Sequence, residues 1–161
     1  MHDVKTSPQT LSWLKSAIIE RKIRPNRRLG QNFLVDHNLL RFMVNRAQID
    51  NNDIVLEIGT GTGILTQLLA EKAKKVISVE IDKELYEFAY ENVSAYGNVT
   101  LINRDVIIDK SHIDPDIISF ILQDMDTHQE QTTAEQERKS CLKVVSNLPY
   151  SISTPVIINL L

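Results

Sequence analysis

The tetrapeptide NLPY, residues 147–150, is the most specific chemical signal in this sequence. Asn147 offers a hydrogen-bond acceptor and a donor, and Tyr150 offers a flat face on which a base can stack. Pro149 fixes the turn and frees nearby carbonyls from strand pairing. These groups can hold an amino group attached to a planar ring, so we predict a catalytic site at Asn147, Pro149 and Tyr150.

A glycine-rich turn, EIGTGTG at residues 57–63, precedes a predicted helix. Gly59, Gly61 and Gly63 permit a tight turn and close approach of a ligand, and the helix N-terminus adds free N–H groups. Position 64 is isoleucine, so the spacing is not the G-x-G-x-x-G of dinucleotide-binding proteins. No Gly-Lys-Ser/Thr follows, which excludes a phosphate-binding P-loop.

Two acids stand at the ends of later predicted strands. Glu80 lies about 20 residues beyond the glycines, where a carboxylate commonly accepts hydrogen bonds from ribose hydroxyls. Asp105 could accept a hydrogen bond from the exocyclic amine of an adenine, because ligands bind outside the carboxyl ends of such strands. The structural alternatives are a surface carboxylate for Glu80 and a helix N-cap for Asp105.

Strands alternate with helices from Asp53 onward, which predicts an α/β fold with a right-handed, doubly wound parallel sheet. Two further helices, with Asp36 as the N-cap of the second, precede the sheet. The predicted strands are 54–59, 76–81, 99–106 and 143–148, and the predicted helices are 9–24, ended by Pro25, 37–49, 63–73 and 82–95.

Composition is that of an ordinary globular protein, with 161 residues, 42% hydrophobic and 24% charged. No apolar stretch approaches the ~20 residues that cross a bilayer, and the N-terminus has no apolar signal region. A single cysteine, Cys141, fits a reducing compartment and offers no covalent role. The four histidines lack metal-ligand spacing. We therefore predict a cytoplasmic protein with neither a membrane segment nor a metal.

Charge is unevenly distributed along the chain. Residues 15–46 hold eight basic and two acidic residues, and this basic end either contacts phosphate or is a solvated helical face. Residues 109–139 hold eight acids and three bases. We predict that residues 109–141 form a polar insertion with a helical piece at 117–125 and a polar surface tract at 127–139.

Five motifs together resemble the ribosomal RNA adenine dimethyltransferase family, and within it the branch that modifies small-subunit RNA. The resemblance covers roughly residues 8–108 and 142–161. The motifs, in family order, are LGQNFLVD (29–36), EIGTGTGILT (57–66), VEID (79–82), NRDV (103–106) and NLPYSIST (147–154).

The resemblance implies a Rossmann-like methyltransferase fold and S-adenosylmethionine as cofactor. Implied cofactor contacts are Asn32 and Leu34, with Gln31 nearby, Gly59 and Gly61 beside the amino-acid portion, Glu80 at the ribose, Asp105 at the adenine amine, and Asn147 between cofactor and target base. Implied substrate contacts are the Pro149 carbonyl and the stacking ring of Tyr150.

The resemblance also implies a domain organisation. Residues 1–50 form an N-terminal helical extension carrying the QNFL motif, and residues 51–161 form a partial methyltransferase domain. Family members continue with three more strands and a helical C-terminal domain. We therefore expect a monomeric fragment, truncated after its fourth strand, whose partner is ribosomal RNA in the immature small subunit.

Three alternatives remain open from the sequence. One is a resistance-type methyltransferase of large-subunit RNA, although Leu148 is more often isoleucine there. Another is an amino methyltransferase with a different substrate, against which the QNFL motif argues. The third is a non-catalytic relic that binds cofactor or RNA.

Overall fold

The computed structural model describes residues 11–21, 23, 31, 34, 36–109, 112–126 and 141–160. Within them, strands and helices alternate from residue 54 to residue 103 as the sequence predicts, whereas the short strands at 107–109 and 112–113 and the helix at 150–160 were not predicted. The helices are α1 (Leu11–Glu20), α2 (His37–Arg46), α3 (Ile64–Ala70), α4 (Lys83–Val93), α5 (Pro115–Asp126) and α6 (Tyr150–Leu160). The strands are β1 (Ile54–Ile58), β2 (Lys75–Glu80), β3 (Val99–Asn103), β4 (Ile107–Asp109), β5 (His112–Ile113) and β6 (Leu142–Val144).

Four of these strands form one parallel sheet in the order β3-β2-β1-β6. Leu56 of β1 pairs with Ile77 on one side and with Val144 on the other. All five residues of β1 are buried, as expected for a parallel strand that is covered on both faces. The predicted parallel α/β sheet of four strands is therefore confirmed.

Alternate residues of the central strands face two separate cores, because side chains on a strand alternate between the faces of the sheet. On one face, Val55 and Val76 pack with buried residues of α1 to α4. On the other face, Leu56 and Ile77 pack with buried residues of α5 and α6, among them Ile117. The two helical layers hold the strand ends in fixed relative positions.

Two strands leave the sheet earlier than predicted. β3 ends at Asn103, whose side-chain amide donates to the Glu80 carbonyl at 2.7 Å. β6 ends at Val144, and the next strand-like bond of β1 goes from the Ile58 N–H to the Ser146 hydroxyl at 2.8 Å. Because a side chain replaces the backbone acceptor there, residues 147–149 are free to turn over the end of the sheet.

The region predicted as a polar insertion contains regular structure that the sequence analysis did not identify. β4 and β5 form an antiparallel pair. The helical piece predicted at 117–125 is α5, which buries Ile117 and Ile121 in the core beside β1 and β2. The polar tract at 127–139 lies outside the described residues.

The two helices before the sheet agree in part with the helices that the sequence predicts. Asp36 caps α2 as predicted, since its carboxylate accepts from the N–H groups of Asn38 and Leu39. α1 ends at Glu20, and Pro25 lies outside the described residues. None of the helices in the described part of the chain has the length and apolar composition that crossing a bilayer requires.

Candidate active site

The carboxyl ends of the four parallel strands open into one cavity of about 210 Å³. Gly59 follows β1, Glu80 ends β2, Asp105 follows β3 and Asn147 follows β6, and all four line this cavity. The structure thus brings together the four residues that the sequence analysis placed at the ends of these strands. Other predicted residues that line the cavity are Gln31, Leu34, Gly61 and Pro149. Tyr150 is not among the lining residues, and Asn32 lies outside the described residues.

The glycine turn needs its glycines for backbone conformation. Gly59 and Gly61 have φ angles of +82° and +57°, in the left-handed region that disfavours residues with a Cβ. A Cβ at either position would meet no atom within 4 Å, so open space lies beside this backbone. The turn is fixed to β2, because Gly59 N–H donates to the Val79 carbonyl at 2.8 Å. A ligand can therefore approach the turn without displacing protein atoms.

Gly63 has a different role in the same motif. Its φ angle is also +82°, but a Cβ there would lie 3.2 Å from Cγ1 of Val93 and 3.5 Å from Ala89. It stands at the start of α3, where a side chain would separate α3 from α4. Gly63 therefore serves helix packing, whereas Gly59 and Gly61 leave room for a ligand.

Glu80 is positioned by the backbone on both sides. One carboxylate oxygen accepts from Gly61 N–H at 2.8 Å and the other from Asp82 N–H at 2.9 Å. The residue is only 3% exposed, and this burial raises the pKa of its carboxyl, while the two backbone hydrogen bonds oppose that rise. Each oxygen retains a further lone-pair site, so Glu80 can accept hydrogen bonds from a ligand's hydroxyl groups.

Glu57 anchors a buried polar network beneath the cavity. One of its oxygens, Oε2, accepts short hydrogen bonds of 2.6 Å from the hydroxyls of Thr66 and Ser78. Because Ser78 uses its only hydroxyl proton in that bond, Thr60 must donate to Ser78, at 2.6 Å. The network joins β1, β2, α3 and the glycine turn.

The other oxygen of Glu57, Oε1, is buried with no hydrogen-bond partner among the described residues. Glu57 is fully buried, and burial raises the pKa of its carboxyl to about 8, with Glu80 adding to the rise and the two hydroxyl donors opposing it. The carboxyl is therefore mostly protonated at neutral pH. Glu57 also lines the cavity, so a cationic ligand group placed there would favour its ionisation.

Asp105 lies in the loop after β3 and is exposed. One of its carboxylate oxygens accepts from the Ile107 N–H at 3.1 Å, which makes a local turn into β4. No helix begins after Asp105, so the alternative reading of this residue as a helix N-cap does not apply. Its second oxygen remains able to accept a hydrogen bond from a ligand.

The NLPY segment joins β6 to α6. The carbonyl of Pro149 accepts hydrogen bonds of 3.1 Å from the N–H groups of Ile152 and Ser153 in the first turn of α6. Both lone pairs of that carbonyl are thus engaged, so its predicted contact with a substrate amine would require one of these bonds to be shared or opened. Tyr150 begins α6 and is 98% exposed, with its ring away from the cavity lining.

Several residues of the site were missed by the sequence analysis. Glu57 has a sequence signal, an acid within an otherwise apolar strand, which implies a buried carboxyl. Thr60, Ser78 and Arg104 have no such signal, because their roles depend on contacts with distant residues. In the part of the chain that the structure describes, no group of three or more His, Cys, Asp or Glu side chains could hold a metal ion.

A family model described as ribosomal RNA adenine dimethylase matches residues 22–161. The chain belongs to the ribosomal RNA adenine dimethylase family. The ribosomal RNA small subunit methyltransferase A of Alkaliphilus metalliredigens is 39% identical over 90% of this chain and 45% of that protein. The protein of the same name from Caldanaerobacter subterraneus is 38% identical over 86% of this chain and 45% of its own length. The chain thus spans less than half the length of these curated relatives.

Solved structures agree with this family membership. The 23S rRNA methyltransferase ErmE superposes with a TM-score of 0.56 at 25% identity, over 80% of this chain and 42% of that protein. A dimethyladenosine transferase from Plasmodium falciparum superposes with a TM-score of 0.52 at 29% identity, over 78% of this chain and 36% of that protein. The fold is the Rossmann-like fold of the S-adenosylmethionine-dependent methyltransferases, as predicted.

Proposed function

We propose that this chain is the cofactor-binding part of an enzyme that methylates adenine N6 in small-subunit ribosomal RNA with S-adenosylmethionine. The observation that carries the proposal is the convergence of Gly59, Glu80, Asp105 and Asn147 on one cavity, in a member of this family. Relatives named for small-subunit methylation support the choice of RNA. The protein would work as a monomer on the immature subunit in the cytoplasm.

The residues around the cavity fit the cofactor. Open space beside Gly59 and Gly61 admits its amino-acid portion, and Glu80 has lone pairs for the ribose hydroxyls. Asp105 would accept from the adenine amine, with Leu34 forming part of the pocket wall. The buried oxygen of Glu57 favours a cation nearby, and this cofactor is cationic. When bound, S-adenosylmethionine supplies an electrophilic methyl group on a sulfonium sulfur.

Asn147 would orient the substrate amine. The N6 lone pair of adenine is delocalised into the ring, so the amine is a poor nucleophile. A hydrogen bond from N6 to the side-chain oxygen of Asn147 would favour a more tetrahedral nitrogen and aim its lone pair. Positioning would then supply much of the acceleration. Because the Pro149 carbonyl is engaged by α6, Asn147 carries the larger share of this role.

Tyr150 would hold the target base after it leaves the RNA stack. An adenine within a helix must be extruded before its N6 can reach a buried methyl donor. Tyr150 stands in the chain between Pro149 and Ser151, which both line the cavity, and its ring is exposed to an incoming base.

A second candidate is methylation of large-subunit RNA, which the superposition on ErmE favours. The names of the relatives at 38–41% identity favour the small subunit instead. Both candidates use the same cofactor and the same site, so only the RNA substrate separates them.

Calorimetry with S-adenosylmethionine tests the cofactor assignment on the chain itself. We expect binding that Glu80→Ala weakens at least about tenfold, since charge-assisted bonds to ribose contribute ~1.5–3 kcal/mol. The matched control is Glu91→Ala, an exposed glutamate outside the cavity lining, which should leave binding unchanged. Absence of binding to the wild-type chain would overturn the proposal.

Methyl transfer to immature small subunits and to naked large-subunit RNA then tests the substrate. We expect labelled N6-methyladenine, identified by mass spectrometry, in the small-subunit RNA. Label confined to the large-subunit RNA would establish the second candidate instead.

A further inference from the structure

Arg104 connects the cavity to the start of α5. The residue lines the cavity, and one guanidinium nitrogen lies 3.0 Å from a carboxylate oxygen of Asp114 and 2.6 Å from one of Asp116. Its backbone N–H donates to the Glu80 carbonyl at 3.1 Å, so the residue is also fixed to the end of β2. The proposed cofactor contacts assign no role to this arginine.

Asp114 makes two hydrogen-bonded contacts with the loop after β3. The Arg104 guanidinium binds its carboxylate, and the Asp114 N–H donates to the Val106 carbonyl at 2.9 Å. Arg104 and Val106 are the two neighbours of Asp105 in the chain. The residues on both sides of Asp105 are therefore hydrogen-bonded to Asp114.

Asp114 is itself rigidly placed. Its other carboxylate oxygen accepts from Asp116 N–H at 2.8 Å, and its carbonyl accepts from Ile117 N–H at 3.1 Å, which starts α5. The Ile117 side chain is fully buried in the core. The Asp116 N–H and the Arg104 guanidinium keep the pKa of the Asp114 carboxyl below its usual value, so it stays ionised. The loop is thus tied to the core of the domain.

Removal of the arginine would loosen this connection for an electrostatic reason as well. Asp114 and Asp116 are like charges at the start of α5, and Arg104 is the cation that the structure places against both. Without it, the loop that carries Asp105 would lose this electrostatic attraction to α5. The Arg104 side chain is half-exposed, so the expected effect is moderate.

We propose that Arg104 is a positioning residue that holds Asp105 at the adenine end of the cofactor cavity. The inference rests on the proposed function, in which Asp105 accepts a hydrogen bond from the adenine amine. Arg104 acts through the loop, so its loss should weaken recognition of that amine and leave contacts to the rest of the cofactor intact.

A comparison of two ligands on the intact chain tests this role. The ligands are S-adenosylhomocysteine and its purine-riboside analogue, which lacks only the 6-amino group. We expect calorimetry to show that the wild-type chain prefers the amino form by about tenfold, the value of one such hydrogen bond. In Arg104→Gln the preference should fall to about twofold, with the affinity for the analogue unchanged.

Two further variants separate positioning from general stability. Arg104→Lys keeps a cation within reach of the carboxylates and should restore most of the preference. Arg21→Gln removes a comparable exposed pair, with Glu91 on α4, and should leave the preference at the wild-type value.

Each result discriminates between the two proposals. A full preference in Arg104→Gln, or equal weakening of both ligands, would overturn the positioning role alone. Equal affinity of the wild-type chain for both ligands would overturn the Asp105 contact together with the role of Arg104. Failure of the wild-type chain to bind either ligand would overturn the proposed function.

Discussion

The two sides of the cavity differ in how deeply their polar side chains are buried. The buried half, which we define as Glu57, Thr60, Thr66, Ser78 and Glu80, is almost free of solvent and joined by hydrogen bonds. The open half, which we define as Asp105 and Asn147 in the cavity lining together with Tyr150 next to Pro149 in the chain, is exposed to solvent. The buried half is enclosed by the fold, whereas the open half is accessible to a substrate.

This difference predicts which substitutions reduce folding stability and which reduce methyl transfer. Polar groups in the buried half carry desolvation costs, so changes there should alter folding stability and its pH dependence. Side chains in the open half pack against little of the protein, so changes there should reduce methyl transfer while the fold persists. The four predictions that follow test this division, from the largest expected effect to the smallest.

Glu57→Gln should change the pH dependence of stability. The Glu57 carboxyl has a pKa of about 8 in the folded chain, against an ordinary value of 4.5, so the folded state keeps this proton to a higher pH than the unfolded state does. Its contribution to stability is therefore fully present below pH 4.5 and is lost as pH rises to about 8. We expect Glu57→Gln to lack this decline, a difference on the order of a few kcal/mol by pH 9.

Urea unfolding of both proteins between pH 4.5 and pH 9 measures this difference. Glu80 and the other titrating groups are present in both, so their contributions largely cancel. Parallel stability curves for the two proteins would contradict a buried, neutral Glu57.

Asn147→Ala should have the largest effect on catalysis. Loss of the amide oxygen that orients the substrate amine should lower kcat by at least ~100-fold, as removal of a single positioned group in an active site does. Cofactor affinity should change less than about threefold, a difference below ~0.7 kcal/mol. Single-turnover methylation and calorimetry check the two parts. Unchanged turnover would remove Asn147 from the mechanism.

Gly63→Ala and Gly61→Ala should separate packing from backbone strain. Both substitutions place a Cβ on left-handed backbone, which costs ~1–2 kcal/mol. Only Gly63→Ala also meets Val93, at 3.2 Å, so we expect it to be less stable than Gly61→Ala by ~1 kcal/mol or more. Thermal or urea unfolding measures this difference. Equal stability of the two variants would show that a Cβ at position 63 does not disturb the packing of α3 against α4.

Tyr150→Ala should weaken the use of the RNA substrate and leave the stability of the protein nearly unchanged. The side chain is almost wholly exposed, so stability should change by less than ~0.5 kcal/mol. Stacking of one base contributes ~1–3 kcal/mol, so methylation at limiting RNA should fall by about tenfold. The matched control is Tyr90→Ala, an exposed tyrosine on α4 outside the cavity lining, which should retain activity. Equal loss in both variants would argue against a base platform at Tyr150.

Local sequence patterns predicted the parts of the site that depend on local geometry. The apolar run before Gly59 predicted β1, and the helix predicted from residue 82 is α4, which Asp82 caps. The ends of β3 and β6 were predicted too late, and beside both ends a side chain, that of Asn103 or Ser146, hydrogen-bonds to the backbone of the neighbouring strand. Such bonds leave no periodic signal in the sequence.

The sequence by itself determined the four strands of the parallel sheet, the helices α1 to α5, the glycine turn and the family, because each of these follows from neighbouring residues and their spacing. Only the tertiary structure decided that Glu57 is buried among hydroxyl groups, that the Pro149 carbonyl is occupied by α6, and that Arg104 ties Asp105 to α5. These features depend on burial and on contacts that no local pattern encodes. Burial sets the pKa of a carboxyl, and the position of α5 decides which carboxylates an arginine can reach.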